Sequence, residues 1–161
     1  MDEQTRVELA EPRIEKGHFQ LIAGFGGRFN QQTVKDIPAL WEKFAPHCGS
    51  VPGQKGDETY GVGFNFDGQG GFDYLAGVAI SKLDDLPDTF RWVEIQPQQY
   101  AVFEHKGPLS QLPQVFQYIH GTWLPQSGYQ HSSGPEFERY SADFNPQRNT
   151  GTIEIWLPVT V

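Results

Sequence analysis

The sequence predicts an α+β domain of two tandem strand-helix-strand-strand units about a pseudo-two-fold axis, with antiparallel sheets and a central groove. Three observations predict it. First, the helical segment IPALWEKF (37–44) has a counterpart in LPQVFQYI (112–119). Ile37-Pro38, Trp41 and Phe44 match Leu112-Pro113, Phe116 and Ile119 at a constant offset. Second, FDYLAGV is echoed by IEIWLPV, pairing Phe72 with Ile153, Tyr74 with Ile155 and Val78 with Val159. Third, the same order of four elements occurs twice, which chance hardly supplies. Duplicated units commonly pack about a two-fold axis, and the groove between them is a natural ligand site.

The elements follow in order. HFQLIAGF (18–25) is a strand running into Gly24, Gly26 and Gly27, whose glycines read as a turn or bulge after it. IPALWEKF has apolar residues at 37, 40, 41 and 44, one face of a helix, with Pro38 in the first turn where proline is tolerated. TYGVGFNF and FDYLAGVAI are strands joined by the hairpin connection DGQGG. SKLDDLPDTFRW is a polar crossover into the second unit. There YAVFEHKG is a strand, LPQVFQYI a helix, and FERYSADF and TIEIWLPVTV strands around the turn NPQRNTG. The expectation is one domain over 1–161, with repeats over about 12–82 and 90–161.

Bulk properties exclude several classes. A net charge of −8, with 12 Lys and Arg spread along 161 residues, argues against a nucleic-acid surface, which needs clustered cations. The single Cys48 permits no intrachain disulfide and suits a reducing compartment. MDEQTRVELAEPR carries acids and no apolar signal region, and no run approaches the roughly 20 apolar residues of a membrane span. A cytoplasmic location is expected. His18, His47, His105, His120 and His131 lack metal-ligand spacing, so neither a metal nor another cofactor is expected. GFGGR lacks the pattern of a phosphate loop.

Chemistry gathers on the last two strands. Side chains alternate, so TIEIWLPV presents Ile153, Ile155 and Leu157 on one face, suited to pack under the helices. Glu154 and Trp156 fall on the other. On FERYSADF, Glu138 and Tyr140 share a face; on TYGVGFNF, Tyr60, Val62 and Phe64 do. An acid beside a ring is in the first place a solvated face with cross-strand packing. The sharper reading is a cation site, where a carboxylate inside an aromatic cage attracts delocalised cations. Tyr60, Phe64, Tyr74 and Trp123 are further candidates, each equally suited to wall a pocket or to pack in the core.

PRIE, HFQLIAGF, IPALWEKF, YGVGFNF, YAVFEHKGPLSQL, HGTWLP and above all PEFERYSADF followed by EIWLPV carry a family likeness. Over essentially its whole length the chain resembles the AraC-type effector-binding, or GyrI-like small-molecule-binding, domain. The resemblance implies the duplicated fold and a site for amphipathic, often cationic, small molecules. It also implies that Glu138 is the central acid, with Glu154 and Trp156 as the acid and ring of the terminal strand. No helix-turn-helix is visible, so a stand-alone drug-binding or sequestering member is expected, without direct DNA contact. Two alternatives stay open: hydrolysis of cyclopropane-type toxins by Glu138 and Glu154, or binding of a protein partner such as gyrase or a separate regulator.

Overall fold

The computed structural model describes residues 9–145, 148 and 151–161. Pro146, Gln147, Asn149 and Thr150 of the expected NPQRNTG turn, and the first eight residues, lie outside the described residues. The first unit comprises β2 (Gln20–Phe29), α1 (Ile37–Phe44), β3 (Thr59–Phe64) and β4 (Phe72–Ile80). The second comprises β6 (Gln99–His105), α2 (Leu112–Tyr118), β8 (Glu136–Tyr140) and β9 (Ile153–Thr160). Each unit is preceded by a short strand, β1 (Arg13–Lys16) and β5 (Arg91–Ile95) respectively. A π-turn over Ile119–Trp123 prolongs α2 into α3 (Leu124–Ser127), and β7 (Gln130–His131) follows.

The strands form one antiparallel sheet in the order β1-β6-β9-β8-β3-β4-β2-β5, with β7 pairing β9. The order is a palindrome: exchanging β2 with β6, β4 with β9 and β3 with β8 reproduces it. The two units therefore share a continuous sheet, and the pseudo-two-fold axis passes through the β3–β8 pair. The leading strands are exchanged between units, β1 lying against β6 and β5 against β2. The two links meet, the Gly17 N–H donating to the Gln98 carbonyl at 2.8 Å. Gly17 is needed there, since a Cβ would stand 2.6 Å from the Tyr100 ring.

Two elements depart from the sequence expectation. The glycines of GFGGR form no turn; they lie inside the ten-residue β2, where Gly24 pairs with Gly77. A Cβ on Gly24 would overlap the Ala76 carbonyl, so glycine serves close strand approach rather than a bend. The polar crossover ends earlier than expected, because Arg91 and Trp92 already belong to β5.

Both helices lie on one face of the sheet. There α1 packs with Ala23, Tyr74, Ala76 and Val78, and α2 packs with Ala101, Phe103, Tyr140, Ile153, Ile155 and Leu157. Trp41 of α1 touches both clusters and closes the seam between the two units. On the opposite face a third cluster runs across both units, joining Ile22, Tyr60, Val62 and Leu75 to Tyr100, Val102, Phe137 and Trp156. Among the described residues no helix is long and apolar enough to cross a membrane.

Candidate functional site

The site grows from the central β3–β8 pair. Residues 136, 138 and 140 point toward the helices, because Phe137 belongs to the opposite cluster and alternation does the rest. Directly across from Glu138 stands Gly61. With no side chain at Gly61, the surface of the sheet is bare, and Tyr74 reaches over it from β4. A Cβ on Gly61 would overlap the Tyr74 hydroxyl and lie 2.9 Å from Glu138 Oε1.

Three aromatic residues converge on this acid. The Tyr140 and Tyr74 hydroxyls donate to Glu138 Oε1 at 2.8 and 3.2 Å. Trp41 Nε1 donates to the Tyr74 hydroxyl at 3.0 Å, and its ring meets Tyr140 edge-on at 5.3 Å. Among the described residues no Arg, Lys or His pairs with Glu138. Glu138 Oε2 takes no hydrogen bond there either, yet it is not a sealed orphan, the one such side-chain atom being Gln114 Oε1. The acid lies deep among protein atoms but keeps some accessible surface.

Burial dominates its titration. Desolvation raises the carboxyl to about 7, against the two phenol hydrogen bonds, which favour the charged form, and with a further push from Glu136. The phenols of Tyr74 and Tyr140 are held well above their ordinary value, first by burial and then by the Glu138 charge. They therefore remain donors throughout the neutral range. The result is a carboxyl group whose hydrogen-bond partners among the described residues are neutral hydroxyls, set in an aromatic surround.

Glu154 and Trp156 are not brought to this site. β8 pairs with β9 so that Glu138 stands opposite Ile155, and Glu154 opposite Arg139, on the far face of the sheet. Glu154 is ion-paired with Arg13 at 3.0 Å and Arg139 at 3.9 Å, and it accepts the Trp156 indole N–H at 3.0 Å. Trp156 stacks on Phe137 at 5.3 Å, and the Arg13 guanidinium lies over its ring at 5.8 Å. Tyr60 and Phe64 pack on that same far face. A polar cleft of about 270 Å³ opens beside Glu154, lined by Glu58, Glu104, Lys106, Arg139, Ser141 and Thr152. Trp123 is 8 % exposed and packs between Phe103 and Tyr129, within the α2 core.

Of the sequence candidates, the structure thus gathers Glu138, Tyr140 and Tyr74. Sequence reasoning missed two members. Trp41 was absorbed into the apolar face of a helix, although a buried indole N–H needs an acceptor and so points to a polar partner. Gly61 reads only as the back of a strand until the register sets it against Glu138.

The comparisons with known proteins agree with this architecture. Over 98 % of its length the chain is 30 % identical to the transcriptional regulator BrlR of Pseudomonas aeruginosa, spanning 61 % of that protein. Its fold matches the structure of SAV2435 bound to tetraphenylphosphonium, at TM-score 0.78 and 18 % identity over 94 % of both chains. It also matches an integron cassette protein from the mobile metagenome of Vibrio cholerae, at TM-score 0.71 and 20 % identity over 94 % and 97 % of the chains. Residues 10–160 match the GyrI-like small molecule binding domain, and the chain belongs to that family.

Proposed function

We propose that the chain binds hydrophobic cations at Glu138, under the seam between the two units. The observation that carries this reading is a deep carboxylate held by two phenols and lacking any cationic partner among the described residues. Leaving a carboxylate desolvated is costly, and a ligand that supplies the positive charge recovers that cost. Tyr74, Tyr140 and Trp41 make the surround of the acid aromatic, and a cation that reaches a ring face gains about 0.5–2 kcal/mol from it. Small hydrated cations gain little here, because the rings reward an apolar, delocalised charge. The reading is supported from outside by the fold match to SAV2435, whose structure holds tetraphenylphosphonium.

Titration calorimetry with tetraphenylphosphonium tests it. Glu138→Gln keeps the shape and one acceptor but removes the charge, and a loss of about 10–100-fold in affinity is expected. Tetraphenylborate, of the same shape and opposite charge, should bind far more weakly to the wild-type protein. Unchanged affinity in Glu138→Gln, or equal binding of the borate, would overturn the charge role.

A further inference from the structure

The Gly61–Glu138 rung of the sheet is followed by a second one of the same make. Glu136 lies two residues before Glu138 on β8, facing the same way, and the residue directly across from it is again a glycine, Gly63. In the first rung the bare surface is filled by a tyrosine. In the second it is filled by Phe66, whose ring edge would stand 3.2 Å from a Cβ on Gly63.

Local structure fixes Phe66 there. Asn65 follows β3 with a positive φ of 53°, a conformation that asparagine tolerates better than most residues. Its carbonyl accepts from Arg28 at 2.8 Å and its amide donates to Asp73 at 2.8 Å, which hold the turn. Phe66 is thereby folded back, yet it remains 46 % exposed, a large ring kept in solvent. It stacks on Phe72 at 5.7 Å; Phe72 lies 6.4 Å from Phe29, and Phe29 lies 6.3 Å from Tyr74. The rings form a chain from Tyr74, which bonds the first acid, to Phe66, which covers the glycine opposite the second.

Glu136 is held but not neutralised by a fixed cation. Its Oε2 faces His131 Nε2 at 3.2 Å and His120 Nε2 at 3.8 Å, and no Arg or Lys pairs with it among the described residues. The π-turn after α2 carries His120, and β7 carries His131. The acid keeps about a fifth of its side-chain surface accessible, at 21 %.

We infer that Glu136 and Phe66 form a second cation subsite, so that the site favours ligands bearing two positive charges. Two residues along a strand set the acids about 7 Å apart, which fixes the spacing of the charges. The inference rests on Glu138 as the first cation site and extends it along β8.

Ethidium and propidium test it, because they share one aromatic cation and propidium adds a quaternary ammonium on a short alkyl arm. Binding is measured by fluorescence at about pH 8, above the value of about 7 to which burial raises the Glu138 carboxyl. The wild-type protein is expected to prefer propidium by about tenfold, the yield of one partly exposed charge pair plus one ring contact. Glu136→Gln should bring the ratio close to one while leaving ethidium within about twofold. Phe66→Ala, at an exposed position, should lower the ratio in the same direction. No preference in the wild-type protein, or a preference that survives Glu136→Gln in a cooperatively folded variant, overturns the second subsite. The first site is judged separately: Glu138→Gln should weaken both dyes and keep their ratio, and if ethidium is unaffected it is the Glu138 reading that fails.

Discussion

Glu138 and Glu154 sit on adjacent strands, one residue out of step, and their surroundings could hardly differ more. Glu154 faces away from the helices, ion-paired with Arg13 and Arg139 and bonded to an indole N–H. Glu138 faces the helices among phenols and an indole, with no cationic partner among the described residues. Glu154 is satisfied by cations of the protein; on the proposed reading Glu138 is left for a ligand to satisfy. Both are glutamates two residues before an aromatic side chain on their strand, so on the proposed reading what separates a structural acid from a binding acid is the source of the compensating charge.

The largest effect expected from this contrast is a pH-dependent stability that one substitution removes. The Glu138 carboxyl is raised to about 7 in the folded protein, while in an unfolded chain a glutamate titrates near 4.3. The folded state therefore holds the proton more tightly. The contribution of Glu138 to stability is greatest below about pH 4, falls as pH rises between the two values, and levels off above about 7. Allowing for the partial exposure of Glu138, the loss amounts to about 2–3 kcal/mol. Glu138→Gln should recover this at pH 8 or so and flatten that part of the profile, while affinity for the cation falls. Thermal melts across the pH range check it. A variant no more stable than the wild type at high pH would mean that Glu138 is not strained when empty.

A smaller but sharper effect is expected at Gly61. Alanine there introduces a methyl where the Tyr74 hydroxyl lies, and the hydroxyl must give way. Overpacking of this kind costs about 1–3 kcal/mol, with the lower end expected because a side-chain tip can shift. The informative readout is binding. Moving Tyr74 breaks its bond to Glu138 and unseats the Trp41 indole, so affinity for tetraphenylphosphonium should drop even where the protein stays folded. Retained affinity would show that the Tyr74 hydroxyl plays no part in shaping the site.

Much of the fold is legible in the sequence because it is written twice. The repeated helix and hairpin predict both units, and alternation alone places Ile153, Ile155 and Leu157 under the helices, where they are found. The exchanged strands β1 and β5 escape notice since they are short and pair with the other unit, not with their sequence neighbours. The site is harder to read for one physical reason. A one-residue slip between strands turns every side chain to the opposite face. FERY and EIW each give their own faces correctly, but only the pairing of Glu138 with Ile155 shows that Glu154 and Trp156 lie on the far side. Trp41 and Gly61 are hidden likewise, because their importance depends on what faces them.

The smallest effect should come from the other acid, and it is the one that secures the comparison. Glu154→Gln removes a charge whose partners are 44 % and 39 % exposed, so solvent and salt already screen the pairs. Exposed ion pairs contribute under about 1 kcal/mol, and the glutamine can still accept from the Trp156 indole. Melting temperature should fall slightly, less so in high salt. Affinity for tetraphenylphosphonium should stay within about twofold, because no charge at Glu138 is altered and the sheet separates the two carboxylates. A drop comparable to that of Glu138→Gln would break the contrast: it would mean that the cation sits on the far face, in the cleft beside Glu154, and that the cationic partners of Glu154 do not exempt it from binding.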